Sequence, residues 1–256
     1  MSLALDLTGK VALVTGGSRG IGAACVRLLT QAGANVLFNY QKSSEAAQRV
    51  VIACGQDRTA AVQSDLIGEG AEEMLVEEAV ARFGHLDILV VNHGVWVSDD
   101  KPVDEMSDEQ WRSTMAVNLD SAFLLVKSAV REMKRTHRGG HIVMVSSTAG
   151  QRGEAFHCDY AATKGAIISM VKGLSTELAR DRIYVNCVAP GWVATDMSAP
   201  VMADPAMQEK IKGMIPLGRI GRPEEIAGPI VFLCSPLAGF ITGEVFNVNG
   251  GAVLVG

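Results

Sequence analysis

A tyrosine and a lysine stand four positions apart in the stretch DYAATKG, which spans residues 159–165. On a helix this spacing places Tyr160 and Lys164 on one face, one turn apart. A free phenol has a pKa of about 10, too high for efficient proton exchange at neutral pH, and a nearby ammonium group favours its ionised form. The pair is therefore a candidate for passing a proton to a carbonyl oxygen. On its own, the same spacing is more typical of an ordinary helix surface.

Two serines end a predicted strand in VMVSSTAG, shortly before this tyrosine. Parallel sheets bind ligands at the carboxyl ends of their strands, so the hydroxyls of Ser146 and Ser147 would face a ligand there. Capping of the strand end is the alternative role for either serine.

A glycine-rich turn follows the first apolar run, in VALVTGGSRGIGAACVRLLTQAG. The pattern indicates a strand, a turn and a helix, with Gly16, Gly20 and Gly22 in the spacing G-x-x-x-G-x-G. Glycines let the backbone approach a pyrophosphate, which the free N–H groups of the helix start can bind. No Lys-Ser or Lys-Thr pair follows, so a nucleoside triphosphate loop is not supported. A tight turn without a ligand is the alternative for this motif alone.

The end of the second predicted strand, NVLFNYQKSS, bears on the choice of coenzyme. An NAD-specific sheet carries an acidic residue there for the ribose 2′-hydroxyl, and this chain has Asn39. Arg19 and Lys42 would attract a 2′-phosphate, since an opposite charge at about 4 Å is worth up to about 4 kcal/mol at an effective dielectric of 20. We expect NADP(H), with NAD(H) as the alternative if both cations are merely solvated surface charges.

The composition predicts a buried parallel sheet. Of the 256 residues, 48% are hydrophobic but only 5% aromatic, so Ala, Val, Leu and Ile must build the core. Short apolar runs alternate with longer amphipathic stretches, as in βαβ units. We expect an α/β fold with a single doubly wound parallel sheet of Rossmann type, helices on both faces and one domain over residues 1–256. The predicted strands are 10–16, 35–40, 59–64, 87–92, 141–147, 183–190 and 244–250.

Three further segments stand out between the predicted strands. Residues 191–222 follow the sixth strand, are rich in Pro, Gly and Met, and predict a lid over the substrate. Two long amphipathic stretches, about 107–137 and 160–180, carry apolar side chains on more than one face. Such helices favour self-association.

Charge and cysteine usage exclude several classes of partner. The net charge is -5 and Lys and Arg are scattered, so neither nucleic acid nor an anionic membrane surface is expected. The first seventeen residues lack a basic leader and the apolar runs are too short to span a bilayer. Five cysteines without CxxC spacing are typical of reduced thiols, and the expected location is cytoplasmic. No second histidine or carboxylate accompanies His93 at metal spacing, so no metal site is expected and His93 is interpreted as packing near the cofactor.

These motifs, in this order, resemble the short-chain dehydrogenase/reductase family over nearly the whole chain, from about Lys10 to the segment ITGEVFNVNGG. The residues that carry the resemblance are Thr15, Gly16, Gly20, Ile21, Gly22, Asn92, His93, Gly94, Asn118, Ser147, Tyr160, Lys164 and the stretch 190–195. The resemblance implies that Tyr160 gives or takes the proton and that Ser147 hydrogen-bonds the substrate oxygen. It also implies that Lys164 holds the nicotinamide ribose while lowering the tyrosine pKa, and that Asn118 holds a water linking the lysine to solvent.

The resemblance further implies a set of cofactor-binding residues. Asp65 matches the adenine contact, Asn92 and Gly94 the cofactor floor, and Thr195 the contact to the nicotinamide carboxamide. Capping by Asp65 and turn formation at Asn92 and Gly94 are the plainer alternatives, and both are compatible with cofactor binding. The full set is Gly16, Ser18, Arg19, Gly20, Ile21, Gly22, Asn39, Asp65, Asn92, Gly94, Tyr160, Lys164, Pro190, Gly191, Val193 and Thr195.

Within this family the chain is most similar to the bacterial 3-oxoacyl-acyl-carrier-protein reductase group. That similarity implies hydride transfer between NADP(H) and a carbonyl or secondary alcohol, either a 3-oxoacyl thioester or a small molecule, in a homotetramer built through the two long helices. The group docks an acidic carrier on basic residues; Arg138 matches one such position, whereas Asp181 stands at the other. An NAD-dependent sugar or alcohol dehydrogenase and a non-catalytic cofactor-binding sensor remain alternatives. The predicted pocket lining is Trp96, Glu154, Phe156, His157, Trp192 and Met197.

Overall fold

One all-parallel sheet organises the computed structural model, which describes residues 5–255. Within that range seven strands pair in the order β3-β2-β1-β4-β5-β6-β7. All seven predicted strands and the doubly wound α/β fold are confirmed. The strands are β1 Val11–Val14, β2 Asn35–Tyr40, β3 Thr59–Gln63, β4 Ile88–Val91, β5 Gly140–Val145, β6 Ile183–Pro190 and β7 Val245–Val248.

Helices cover both faces of this sheet. They are α1 Gly20–Gln31, α2 Ser44–Cys54, α3 Ala71–Phe83, α4 Asp108–Met115, α5 Ser121–Thr136, α6 Thr148–Arg152, α7 Cys158–Leu178, α8 Ala199–Met202, α9 Pro205–Gly213 and α10 Pro223–Leu233. One hydrophobic cluster joins α1, α2 and α10 to one face, and a second joins α3, α5 and α7 to the other. The strand order reverses between β1 and β4, and a doubly wound sheet opens its ligand crevice at such a point.

Apolar residues on both sides of each central strand explain this layering. In β1 all four residues are buried: Ala12 and Val14 join the first cluster and Leu13 joins the second. Successive side chains of a strand point to opposite faces, so a strand covered on both sides must be apolar throughout. The Val- and Leu-rich runs of the sequence therefore become the middle layer of the fold.

The first long amphipathic stretch is interrupted in the structure. Helix α4 is followed by a π-helical turn over Ala116–Asp120, and α5 begins directly after it. A π turn holds one more residue than an α turn and often lies at a functional position. The sequence predicted a long amphipathic stretch over about 107–137, and the pattern of apolar residues gave no indication of the wider turn.

The segment between β6 and α10 leaves the sheet and returns to nearly the same place. Val193 and Gly221 form an isolated parallel bridge, and the N–H of Ala194 donates to the Gly221 carbonyl at 2.9 Å. Helices α8 and α9 lie between these two ends. The segment packs against the rest of the protein through the side chains of Ile211 and Ile215, which are 1% and 4% exposed.

Two sequence expectations concern the chain as a whole. Within residues 5–255 every cysteine is free, and no helix there is both long enough and apolar enough to cross a bilayer. The expectation that the chain start carries no leader falls partly on residues 1–4, which lie outside the described residues.

Candidate active site

A cleft of about 620 Å³ opens at the carboxyl ends of the strands, at the switch between β1 and β4. It brings together nearly every residue that the sequence analysis assigned to the site. The predicted residues that line it are Gly16, Ser18, Arg19, Gly20, Ile21, Asn39, Asp65, Asn92, Gly94, Ser147, Tyr160, Lys164, Pro190, Gly191, Val193 and Thr195. Gly22 and Asn118 do not line the cleft. They pack against residues that do, Gly16 and Val95 respectively.

The glycine loop fits the pyrophosphate of a dinucleotide. Gly16 and Gly20 have φ angles of 64° and 53°, a backbone conformation that favours glycine. A Cβ atom on Gly22 would come within 2.2 Å of the Gly16 carbonyl oxygen, so α1 can start against the loop only without a side chain there. Arg19 is the N-cap residue, and its side chain turns away from the first helical turn to Asp196, at 3.2 Å. The N–H groups of that turn are therefore left to a bound anion.

Two asparagines, of which Asn39 is buried, hold this loop in place. Asn39 accepts from the Gly16 N–H at 2.9 Å and donates to the Ser64 carbonyl at 3.1 Å. Asn92 donates to the Thr15 carbonyl at 3.0 Å. The position of Asn39 at the end of β2 predicted a place at the ribose 2′ group; the residue lines the cleft, and its amide also joins the loop to the neighbouring strands.

The polar side chains beside Asn39 were only partly anticipated. Gln41, Lys42 and Ser43 line the cleft directly after β2, and Gln41 donates to Asp65 at 2.8 Å. Lys42 was identified from its charge. Gln41 and Ser43 were missed, although their place in QKSS, just past a strand that ends at the crevice, was the available indication.

Tyr160 and Lys164 share one face of α7, as their spacing predicts. The lysine Nζ lies 5.7 Å from the centre of the phenol ring, and it donates to the Val145 carbonyl at 2.8 Å. Ser146 donates to the Lys164 carbonyl at 2.7 Å. Ser147 caps α6 by accepting from the Ala149 N–H at 3.1 Å, which holds its hydroxyl at the cleft beside the phenol.

Burial shifts both ionisable groups of the pair toward their neutral forms. It raises the pKa of Tyr160 to about 12; the Ser147 hydroxyl opposes that shift and the charge of Glu154 adds to it. Burial also lowers the pKa of Lys164 to about 8. The expectation that Lys164 lowers the tyrosine pKa is therefore corrected, because desolvation outweighs the neighbouring groups. At neutral pH the phenol keeps its proton.

Asn118 lies in the π turn and is 1% exposed. Its amide accepts from the Val95 N–H at 2.7 Å, donates to the Val95 carbonyl at 2.9 Å and donates to the Thr163 hydroxyl at 3.3 Å. These bonds join the turn to the loop after β4 and to α7. At Gly94 a Cβ atom would lie 3.3 Å from Asn118 Oδ1 and 3.5 Å from Lys164 Nζ, so the loop passes close to both.

His93 packs beside the glycine loop as a neutral side chain. Its Nδ1 lies 2.8 Å from the Thr15 hydroxyl and its Nε2 lies 2.7 Å from the Ser121 hydroxyl. Burial, with a smaller contribution from the charge of Lys164, lowers the pKa of His93 to about 3. Its geometry agrees with the packing role expected from the sequence.

The far end of the cleft is partly aromatic. Of the six residues predicted to line the substrate pocket, Trp96, Glu154, Trp192 and Met197 do so. Within the described residues, Phe156 and His157 lie outside that lining: Phe156 is 50% exposed, and the His157 ring packs against Trp96 in a tilted arrangement with ring centres 4.9 Å apart. Arg152 on α6 also lines the cleft and was missed.

A glycine cradle at the switch point of a parallel sheet, facing a serine, a tyrosine and a lysine, places the protein among the dinucleotide-dependent oxidoreductases. The comparisons with known proteins agree. A family model described as Enoyl-(Acyl carrier protein) reductase matches residues 16–253. A 3-oxoacyl-[acyl-carrier-protein] reductase from Synechocystis sp. is 39% identical, covering 97% of this chain and 98% of its own.

Solved structures give the same result. A short-chain dehydrogenase/reductase of Brucella melitensis, described as a glucose/ribitol dehydrogenase, has a TM-score of 0.91 and 35% identity over 99% of this chain and 100% of its own. A 3-ketoacyl-(acyl-carrier-protein) reductase from the same organism, in complex with NADH, has a TM-score of 0.90 and 31% identity over 97% and 100%. The chain belongs to the short-chain dehydrogenase/reductase family, which confirms the resemblance. It is an oxidoreductase acting on CH–OH and C=O groups with a nicotinamide cofactor.

Replacement of Gly22 by alanine tests the cradle. The added methyl group would meet the Gly16 carbonyl at 2.2 Å, so the loop must move, and we expect coenzyme affinity to fall by about tenfold or more. Fluorescence titration of the purified variant with NADPH and NADH measures this. The matched control is Gly173→Ala on α7, where a Cβ atom meets nothing within 4 Å; equal affinities for the two variants would contradict the role of Gly22.

Proposed function

We propose that this chain reduces carbonyl compounds with NADP(H), and that Tyr160 gives the proton to the substrate oxygen. The observation that supports the proposal most directly is the pair on α7: a phenol that keeps its proton at neutral pH, with an ammonium group 5.7 Å from its ring. A nicotinamide coenzyme, when bound, supplies the hydride. As negative charge grows on the carbonyl oxygen, the hydroxyls of Tyr160 and Ser147 donate to it.

Lys164 has a separate task in this proposal. Its ammonium group carries three donors, of which one is used by the Val145 carbonyl at 2.8 Å. The remaining donors are available to the hydroxyls of a coenzyme ribose. Asn118 supports the same region by joining the π turn to Val95 and Thr163, and a water held beside it would connect the lysine to solvent.

The residues expected to hold the coenzyme form two groups along the cleft. Gly16, Ser18, Gly20 and Ile21 would receive the pyrophosphate, and Asp65 the adenine. Asn92, Gly94, Pro190, Gly191, Val193 and Thr195 would surround the nicotinamide half. In this proposal Gly22 and Asn39 act indirectly, since both hold the loop.

The preference for NADP(H) rests on two cations at the open end of the cleft. Lys42 lines the cleft, and Arg19 pairs with Asp196 at 3.2 Å with both side chains exposed. An exposed ion pair of this kind is worth only about 0–1 kcal/mol, so a 2′-phosphate can compete for Arg19.

Residues 191–222 are proposed as the substrate lid. Their two ends are joined by the Val193–Gly221 bridge, and Trp192, Asp196 and Met197 line the cleft. A segment held at its base can close over a ligand while the sheet stays fixed. Limited proteolysis with and without NADPH tests this, because closure should slow cleavage between these residues.

The exposed apolar side chains of α4 and α5 support self-association. Trp111 is 41% and Phe123 is 51% exposed. We propose a homotetramer that buries these faces together with α7. A monodisperse monomer in light scattering at micromolar concentration would be incompatible with it.

Docking of an acidic carrier protein is the less favoured route to substrate. Each arginine and lysine of the segment REMKRTHR has a carboxylate partner: Arg131–Glu73 at 3.2 Å, Lys134–Asp181 at 2.8 Å, Arg135–Glu132 at 2.7 Å and Arg138–Asp87 at 3.2 Å. These pairs reduce the positive field that an acidic partner would need. A small-molecule carbonyl or alcohol is therefore favoured over a carrier-bound 3-oxoacyl thioester. The sugar dehydrogenase alternative has support from the likeness to the Brucella protein described as a glucose/ribitol dehydrogenase.

Replacement of Tyr160 by phenylalanine tests the proton donor. We expect turnover to fall by at least about 100-fold, because the growing oxyanion loses its acid, while coenzyme affinity stays within about twofold. Absorbance at 340 nm with a panel of carbonyls and alcohols, run with both coenzymes, measures turnover, and fluorescence titration measures binding. Tyr184→Phe, outside the cleft, is the control. Retained activity in Tyr160→Phe would refute the assignment, and inactivity of the wild type on the whole panel would favour a cofactor-binding sensor.

The coenzyme preference has its own test. We expect kcat/KM with NADPH to exceed that with NADH by about tenfold or more, and Lys42→Ala to reduce this ratio, because one cation near the 2′-phosphate is lost. Lys172→Ala on α7, exposed and outside the cleft, should leave the ratio unchanged. Equal Michaelis constants for the two coenzymes in the wild type would remove the preference.

The pH dependence follows from the lysine. Lys164 is cationic below its pKa of about 8 and neutral above it, so kcat/KM for carbonyl reduction should fall as the pH rises through about 8. Lys164→Arg keeps the charge and should move this limb to higher pH, whatever its effect on the maximal rate. Lys10→Arg, which lies before β1 and outside the cleft, should leave the profile as in the wild type. If the fall of kcat/KM in the Lys164→Arg variant still occurs near pH 8, the group that titrates there is not Lys164.

A further inference from the structure

The substrate end of the cleft contains a carboxylate that the proton-transfer residues do not use. Glu154 lies in the turn between α6 and α7, lines the cleft and is only half-buried. We propose that Glu154 is a hydroxyl-recognition site, and that the substrates of this protein are neutral polyhydroxylated carbonyl compounds or the corresponding alcohols. This inference rests on the proposed function, whose substrate class it names.

The carboxylate is held by its neighbours rather than free in solvent. Burial raises the pKa of Glu154 and the charge of Asp100 adds to that shift, while the charges of His157 and Arg152 and the neighbouring Trp96 side chain oppose it. His157 in turn is held by Asp100, at 3.2 Å. A carboxylate accepts hydrogen bonds at two oxygens, and Glu154 lines the cleft, so a ligand hydroxyl bound there can donate to it.

Two indole rings form the walls beside this carboxylate. Trp96 and Trp192 are both half-buried, with ring centres 6.0 Å apart and planes at 88°. The His157 ring packs against Trp96, with ring centres 4.9 Å apart, and restricts the orientation of the indole. Rigid aromatic faces next to a small number of fixed polar groups are suited to a flat molecule whose C–H faces are apolar and whose edges carry hydroxyls.

The charges around Glu154 decide between the substrates that a carboxylate could bind. An ionised carboxylate only accepts hydrogen bonds, so it has no partner on an acyl chain, and covering it with methylene groups would carry a desolvation penalty. A cationic amine would meet Arg152 on α6 and Lys164 on α7 in the same cleft, and an anionic substrate would meet Glu154 itself. A neutral hydroxyl satisfies the carboxylate without adding charge.

The hydroxyl would lie close to the reacting carbon. Glu154 is near enough to Tyr160 for its charge to contribute to the raised pKa of the phenol. A substrate whose carbonyl oxygen meets Tyr160 and Ser147 therefore presents its neighbouring carbons to Glu154. Recognition should be strongest for a hydroxyl within a few bonds of the carbonyl, as in an aldose, a ketose or an open-chain polyol.

The test compares cyclohexanone with 2-hydroxycyclohexanone, alongside a panel of aldoses and polyols. We expect the wild type to prefer the hydroxylated ketone in kcat/KM by about tenfold or more, and Glu154→Gln to lose most of that preference, chiefly through KM. Glutamine keeps the shape of the side chain and one acceptor oxygen but not the charge. The ratio of the two ketones cancels any effect of the lost charge on Tyr160. Glu105→Gln, exposed and outside the cleft, should keep the wild-type ratio.

A binding measurement makes the test independent of turnover. Titration of the coenzyme-bound protein with a polyol should change the fluorescence of Trp96 and Trp192, and Glu154→Gln should weaken this binding by about tenfold. A thermal melt of each variant establishes that it is folded. A ketone ratio in Glu154→Gln within about twofold of the wild type overturns the inference but leaves the proposed function standing. Absence of turnover with every carbonyl and alcohol overturns the proposed function and this inference with it.

Discussion

The removal of water from around one tyrosine and one lysine determines what this cleft can do. Helix α7 lies so close to α6 that a Cβ atom on Gly150 would come within 2.5 Å of the Lys164 carbonyl carbon. Because the two helices pack this closely, the side chain of Lys164 is buried, and its Nζ donates to the Val145 carbonyl at the end of β5. Desolvation then works against charge on both groups: the phenol holds its proton more tightly and the ammonium holds its proton less tightly.

The sequence allowed the fold and the membership of the site to be predicted, because both depend on patterns that are local. Apolar runs of four to eight residues indicated the strands. The parallel order then brought Gly16, Ser147 and Tyr160 to one edge of the sheet. The tyrosine and lysine share a face of α7 because helical spacing leaves no other arrangement.

What escaped prediction depends on contacts between distant parts of the chain. The direction of the tyrosine pKa is set by burial, which the spacing of four residues does not encode. The position of Asn39 along the chain predicted a coenzyme contact but not the hydrogen bonds of its amide to Gly16 and Ser64, which lie 23 and 25 residues away. The ion pair between Arg19 and Asp196 spans 177 residues and could not be inferred from either residue alone.

The outer surface and the cleft of the molecule differ in how their charged groups are arranged. Toward the end of α5 the basic side chains of Arg131, Lys134 and Arg135 are matched by carboxylates, so that this part of the helix offers little net field to a charged partner. In the cleft, charges of both signs occur near one another: Arg19 pairs with Asp196, and Glu154 lies near Arg152.

The π turn at Ala116–Asp120 has a consequence for how this chain can evolve. Each residue added to or removed from a helix rotates everything after it by about 100°. Deletion of one residue that restored regular α-helical geometry would swing the face of α5 that carries Phe123 around the axis and withdraw Asn118 from Val95. The π turn therefore sets the rotation of α5 relative to α4. Asn118 points inward and Phe123 points outward only while this extra residue is kept.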